Sequence, residues 1–181
     1  QVTNVHKCLV SYFKDWKKAQ HGDGGFGYWP TSSYSDMFVS LRISHLYALA
    51  LQRGYSKREL AIDGEKLLAY VTERMNDSHY KMSDYLRAYG LYVLALQGGD
   101  VTDANLLPLV EKDGQDIAVL ALAGLASEAK DGASGSTALA AAEKIRRYMR
   151  PTARGVDITN PTAPHHAFAY YGDEAENLAL T

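Results

Sequence analysis

Apolar residues in this chain recur at three- and four-residue intervals, and no alternating stretch of useful length predicts a strand. Val5, Leu9, Tyr12, Phe13 and Trp16 make one stripe, with Lys7, Lys14, Lys17 and Lys18 mostly off it. That spacing predicts an amphipathic helix over about residues 3–20. "SDMFVSLRISHLYALALQRG" follows a glycine-rich break, with Ser35 to cap it and Gly54 to stop it. Its apolar residues run nearly all round, so Ile43 and Leu46 are expected to face protein rather than water. Ser56 to Glu59 reads as a capping box opening the next helix, whose stripe is Leu60, Leu67, Val71 and Met75. Ser83 then caps "DYLRAYGLYVLALQGG", again apolar on most sides, with Leu91 inward and Gly98 and Gly99 closing it.

The two apolar helices resemble each other. Leu41-Arg42 matches Leu86-Arg87, and "LYALALQRG" (Leu46 to Gly54) matches "LYVLALQGG" (Leu91 to Gly99), an offset of 45 residues. Offsets of that size mark stacked repeats. In a weaker third copy, Thr102 caps a short helix through Leu106, Leu109 and Val110, and Asp116 to Ser127 is its apolar partner. Ser136 to Arg150 predicts a fourth amphipathic helix, with Leu139, Ala142, Ile145 and Met149 inward and Pro151 ending it. After a loop rich in Pro, Thr and His, Asp173 opens one more helix, on which the chain stops. An outer amphipathic helix followed by an inner apolar one thus recurs, in hairpins over roughly 3–54, 56–99, 102–128 and 135–181 of one domain. Such hairpins can close into a ring. The expected fold is all-α, an α/α toroid whose inner helices line the axis, and an incomplete one, cut from a longer polypeptide.

Composition narrows the function classes. With 181 residues, 46% hydrophobic, 22% charged and a net charge of -2, the chain reads as an ordinary globular domain. No basic tract points to nucleic acid, and no apolar run is long enough to span a bilayer. No signal peptide is visible. The single Cys8 can form neither an internal disulfide nor a thiolate metal site by itself.

"AQHGDGGFGYWPTSSYSD", Ala19 to Asp36, interrupts the helices. Gly22, Gly24, Gly25 and Gly27 are expected to turn the chain with positive φ between two helices. Phe26, Tyr28 and Trp29 would then plug the end of the pair. As a phosphate cradle the loop lacks the lysine and the preceding strand. Gln20, Asp23, Gly24, Gly25, Phe26, Gly27 and Trp29, spaced as Gln-x-x-Asp-Gly-Gly-Phe-Gly-x-Trp and followed by the helix Asp36 to Leu51, resemble the thioester domain of bacterial α2-macroglobulin-like proteins. "LLAYV" (Leu67 to Val71) continues the resemblance. A similar glycine-aromatic joint occurs in the wider toroid superfamily, including terpenoid cyclases and protein prenyltransferase β subunits.

The resemblance implies protease trapping, that is, endopeptidase inhibition. A protease cleaves a bait region elsewhere in the large protein, and an exposed internal Cys–Gln thioester acylates it. The reacting motif is Cys-x-x-Gln. Here Cys8 is followed by Leu9, Val10 and Ser11, so the residue three places on has no carboxamide to condense. The motif then lies upstream of Gln1 or this member lacks it. Implied for the segment is a non-catalytic scaffold, without cofactor, in the periplasm or at the cell surface. Its partners would be other domains of the same polypeptide and target proteases. Phe26, Tyr28, Trp29, Asp36, Arg42, Asp84 and Arg87 are the candidate contact residues.

Other chemistry is less well supported. His6, His21, His45, His79, His165 and His166 show no i, i+4 pairing for zinc. No metal site is expected. His45 reads as a hydrogen-bonded core or axial residue, and the His165-His166 segment as a loop packed through Phe168. Asp36 and Asp84 are read as equivalent positions of the repeat, each beside a serine cap near the start of an apolar helix, where the dipole favours an ionised carboxylate over a general acid. Arg42 and Arg87 match in the repeat and could line an anionic pocket or pair with carboxylates. The rival reading is a toroid enzyme, cyclase-like or sugar-processing, using Asp23, Asp36 or Asp84 in an acidic axial cleft. A plain helical interaction module is a third.

Overall fold

The computed structural model describes residues 2–132, 134–153 and 155–161. These residues form eight helices and one two-stranded hairpin, so the chain is mostly α-helical. They divide into two compact units, Gln1–Lys81 and Met82–Thr181.

In the first unit, α1 (Val2–Ala19) and α2 (Met37–Gln52) flank the glycine loop, and α3 (Lys57–Leu60) and α4 (Gly64–Asn76) follow. α2 buries Leu41, Ile43, Tyr47 and Ala48, on several sides as its composition requires, and packs on α4. From α4 come Leu67, Tyr70, Val71 and Met75. Full burial of each such large apolar side chain is worth about 1.5–3 kcal/mol. Leu46 departs from expectation. It is 43% exposed and shares its helix face with exposed Arg42, so this is the open side of α2.

α1 keeps the helical period but not the whole expected stripe. Phe13 is fully buried, edge-on to Trp16 and Tyr47, whereas Val5 and Tyr12 are exposed. The reason is packing: α1 rests on α3, a single turn, which cannot cover a stripe of about five turns. Near its start His6 stacks on Tyr55 at 4.7 Å and lies 3.6 Å from Glu59.

The segment after Ser56 is two helices rather than one. The capping box forms, with the Ser56 N–H donating to Glu59 Oε2 at 2.8 Å. Ala61, at φ 63, then ends α3, and Asp63 caps α4 by accepting from the Lys66 N–H at 3.0 Å. Gly64 enters α4 directly under the Tyr47 ring, where a Cβ would lie 2.4 Å from ring carbons. Any side chain at that crossing would have to displace the Tyr47 ring.

The second unit holds α5 (Asp84–Leu96), α6 (Asp103–Glu111), α7 (Ile117–Asp131) and α8 (Ser136–Arg146). α7 is its centre. It packs on α5, α6 and α8, and every residue from Ile117 to Ala123 is buried. α8 turns Thr137, Ala141 and Ile145 inward, a ridge of i, i+4 spacing, and leaves the expected Leu139 and Ala142 exposed. Gly124 of α7 faces the middle of that ridge. A Cβ there would stand 3.2 Å from the Ala141 Cβ, so the helices meet where both residues are small.

α8 ends at Arg146, not at Arg150, and the chain continues into a hairpin that the sequence did not predict. β1 (Met149–Thr152) pairs antiparallel with β2 (Gly155–Ile158), Pro151 facing Val156. The helix expected from Asp173 lies outside the described residues.

α2 and α5 close alike. Tyr55 N donates to Ala50 O at 3.1 Å and Gly54 N to Leu51 O at 3.0 Å, while Gly99 N donates to Leu94 O at 2.9 Å and Gly98 N to Ala95 O at 3.1 Å. These are two Schellman motifs, with Gly54 at φ +88 and Gly98 at φ +71 in the left-handed position.

Candidate functional site

The loop Gln20–Asp36 is a built joint. Gln20 makes three bonds: its Nε2 donates to Gly24 O and to Asp63 O, both at 2.9 Å, and its Oε1 accepts from the Asp63 N–H at 2.8 Å. It thereby ties the loop to the N-terminus of α4. Asp23 Oδ1 accepts from the Gly25 N–H at 3.0 Å and from the Ser35 hydroxyl at 2.8 Å. His21 Nδ1 lies 2.9 Å from the same hydroxyl, and Tyr70 of α4 donates to Ser35 O at 3.1 Å. Burial is the main reason the Tyr70 phenol titrates above its ordinary range.

Phe26 is the pivot. Its side chain is 2% exposed, its N–H donates to the buried Ser40 hydroxyl at 2.9 Å, and its carbonyl accepts from the Asp36 N–H at 2.8 Å. Bridges to Gln20 on one side and Asp36 on the other make the joint a short piece of strand-like pairing. Asp36, rather than Ser35, caps α2, accepting from the Val39 N–H at 2.9 Å. Ser35 is left to bind Asp23 and His21 instead.

The glycines work differently from the expectation. Of Gly22, Gly24, Gly25 and Gly27, Gly24 alone has positive φ, +91. Gly25 and Gly27 are needed for space: a Cβ would lie 2.6 Å from Ser35 Cβ in the first case and 2.3 Å from Ser32 Cβ in the second. The aromatic plug is likewise only one-third right. Phe26 fills the joint, but Tyr28 and Trp29 are 59% and 70% exposed, and Tyr34 joins them at 71%. The Trp29 N–H donates to Ser32 Oγ at 3.0 Å, so a turn holds this aromatic edge in place.

The second unit carries its own tie at the start of α5. Ser83 is the cap, and Asp84 accepts from Lys112 and, at 3.1 Å, from Gln115, linking α5 to the α6–α7 joint. Burial alone would raise the Asp84 pKa. Hydrogen bonds from Lys112 and Gln115, with the charges of Lys112 and Arg87, outweigh it and hold the carboxyl below its ordinary range. At the 45-residue offset Asp84 falls opposite Val39, so it is not the repeat partner of Asp36. Arg87 is exposed. Arg42 lies over the Phe38 ring at 5.1 Å, and burial, then the Arg42 charge, lower the pKa of half-buried His45.

The joint therefore brings together Phe26, Tyr28, Trp29, Asp36 and Asp23, while Arg42 lies farther along α2 and Asp84 and Arg87 belong to the second unit. Sequence reading missed His21, Ser35, Ser40, Asp63 and Tyr70 as members. Only Ser40, a polar residue inside an apolar helix, left a readable trace. Among the described residues no group of three or more His, Cys, Asp or Glu could hold a metal ion. No helix among them is long and apolar enough to cross a membrane. His165, His166 and Phe168 lie outside the described residues. No family model, no curated protein and no solved structure matches this chain.

Proposed function

We propose that this chain is a non-catalytic scaffold segment, an α/α-toroid piece of a bacterial α2-macroglobulin-like protease-trapping protein that works outside the cytoplasm. The observation that carries the reading is how the motif residues are used. Gln20, Asp23, Gly24, Gly25, Phe26 and Gly27 all serve to build the joint between α1 and α2. The motif's polar side chains, Gln20 and Asp23, are taken up by bonds within the joint and to α4. A carboxylate committed to a loop N–H and a serine is poorly placed to pass protons to a substrate. Outward, the joint presents Tyr28, Trp29 and Tyr34, amphipathic rings of the kind that anchor protein contacts. Those contacts would be with neighbouring domains of the same polypeptide.

Inhibition is the direct test. The intact parent polypeptide is mixed with a protease, and digestion of a protein substrate is followed. Protection of the substrate by wild type, weakened when Tyr28→Ala and Trp29→Ala are combined, fits the scaffold role. Unimpeded digestion by several unrelated proteases would sink it.

A further inference from the structure

Basic residues are spread along the whole chain, yet one of them stands in open backbone. Among the described residues every lysine and arginine except Lys81 lies in a helix, at the cap that closes one, or in β1. Lys81 belongs to the irregular segment 77–83 and is the last residue of the first unit. Its side chain is exposed and meets no carboxylate among the described residues. Neither Lys81 nor Met82 makes a main-chain hydrogen bond to another described residue. A protease takes its substrate extended and pairs with the main chain on both sides of the cut. Helical and strand bonds resist it, and an unpaired stretch with an exposed basic side chain is a favoured target.

Both flanks of that stretch are tied down. Asp77 closes α4 and folds the chain back: its carbonyl accepts from the Tyr80 N–H at 3.1 Å, and its Oδ1 from the His79 N–H at 2.9 Å. The Tyr80 ring thereby lies 6.0 Å from the Arg74 guanidinium, which also sits over the Tyr70 ring at 5.4 Å and 3.8 Å from Asp77 Oδ2. Tyr70 is itself fixed through its hydroxyl on Ser35 O, so Arg74 clasps Tyr80 to an anchored ring. On the other flank Ser83 caps α5, accepting from the Leu86 N–H at 3.2 Å, and Asp84 accepts from Lys112 and Gln115. Lys81 and Met82 alone stand between the two clasps. Two residues are too few to thread a protease cleft, so cutting waits for a clasp to open, and its rate follows the open population.

We propose that the Lys81–Met82 peptide bond is a guarded cleavage site for a protease specific for basic residues, with the Arg74–Tyr80 and Asp84–Lys112 clasps setting its rate. Water is the co-reactant. The C–N bond breaks, the Lys81 carbonyl carbon gains the water's oxygen and becomes a carboxylate, and both water protons go to the Met82 nitrogen, a new ammonium terminus. The site does not rest on the trapping role, since the contacts that guard it are internal to the chain.

The full chain is digested with trypsin at a low ratio of enzyme to protein, and mass spectrometry follows the fragments in time. The first products are expected to be Gln1–Lys81 and Met82–Thr181, and Lys81→Gln, a change at an exposed side chain, should remove them. Opening both clasps in the Arg74→Ala/Asp84→Asn double variant should raise the rate at Lys81, relative to the summed rate at all other sites, by about tenfold or more. That ratio separates the clasps from a general loss of stability, which speeds every cut alike. The proposal is overturned if the first cut falls elsewhere, or if the ratio in the double variant rises by less than that.

Discussion

Replacing Gly24 by alanine separates two costs that the joint imposes on one residue. The residue sits at φ +91, and a Cβ built there would lie 2.3 Å from Lys66 O and 2.5 Å from Lys66 C. Alanine in a left-handed conformation costs roughly 1–2 kcal/mol. Overpacking against backbone, which cannot swing aside as a side chain can, adds about 1–3 kcal/mol. Gly54 is the internal control: it has nearly the same φ, +88, with nothing within 4 Å of the added carbon. Gly54→Ala should therefore show the conformational cost alone, and Gly24→Ala the sum, about 2–5 kcal/mol. The chain's two tryptophans, Trp16 and Trp29, both fall in the first unit, so thermal unfolding followed by indole fluorescence reports that unit. For a unit of this size 1 kcal/mol moves the midpoint by about 4–8 °C. Gly24→Ala should melt at least about 5 °C below Gly54→Ala. If the two melt together within about 2 °C, the close approach of the loop to α4 is wrong.

Three further outcomes follow from the same contacts. Ser40→Ala removes the acceptor for the buried Phe26 N–H and should lower stability by about 1–3 kcal/mol, read as a reduced urea midpoint with unchanged slope. Tyr28→Ala and Trp29→Ala touch exposed rings, so each should change stability by less than about 0.5 kcal/mol, and a larger loss would mean the rings are packed. For Asp84 the sign comes from its lowered pKa. A depressed carboxyl stabilises the fold above its unfolded value, about 3.9, and that contribution is lost as pH falls through the folded value. Asp84→Asn should thus be less stable than wild type near pH 6, with the gap closing below about pH 4, and a gap that persists at about pH 2 refutes the linkage.

The sequence exposed the periodic elements because burial needs a regular apolar pattern. α2, α5 and α7 were readable from their apolar runs, and Gly54 and Gly98 marked the ends of α2 and α5 because left-handed residues there favour glycine. What escaped depended on neighbours distant in the chain. Leu139 and Ala141 are both apolar, and it is Ala141 that lies against Gly124 of another helix, with room only for a small residue. The need for glycine at position 64 likewise comes from Tyr47 on α2, whose ring lies where a Cβ would stand. The hairpin was hidden by Pro151, which reads as a helix stop but also tolerates a blunted strand edge. In the joint, Phe26 was correctly expected inside, whereas Tyr28 and Trp29 were not distinguishable from it by residue type.

The two related helices diverge at one end only, and that localises where their roles differ. Their C-termini end in the same bonds, from Tyr55 to Ala50 and from Gly99 to Leu94. Their N-termini share no cap: Asp36 serves α2 and Ser83 serves α5. Each start is bound to a different joint, through Phe26 and Ser40 in one case and through Asp84, Lys112 and Gln115 in the other. A Schellman end is satisfied within its own helix and one glycine, so it survives sequence change nearby. A helix start bonded to a remote loop constrains both partners at once. Substitutions at Gly54 or Gly98 should accordingly alter stability alone, whereas changes at Gln20 or Ser40 should also shift the glycine loop and changes at Asp84 or Gln115 the α6–α7 joint. Amide chemical shifts distinguish the two, since a purely energetic change leaves the loop residues of the folded state unmoved.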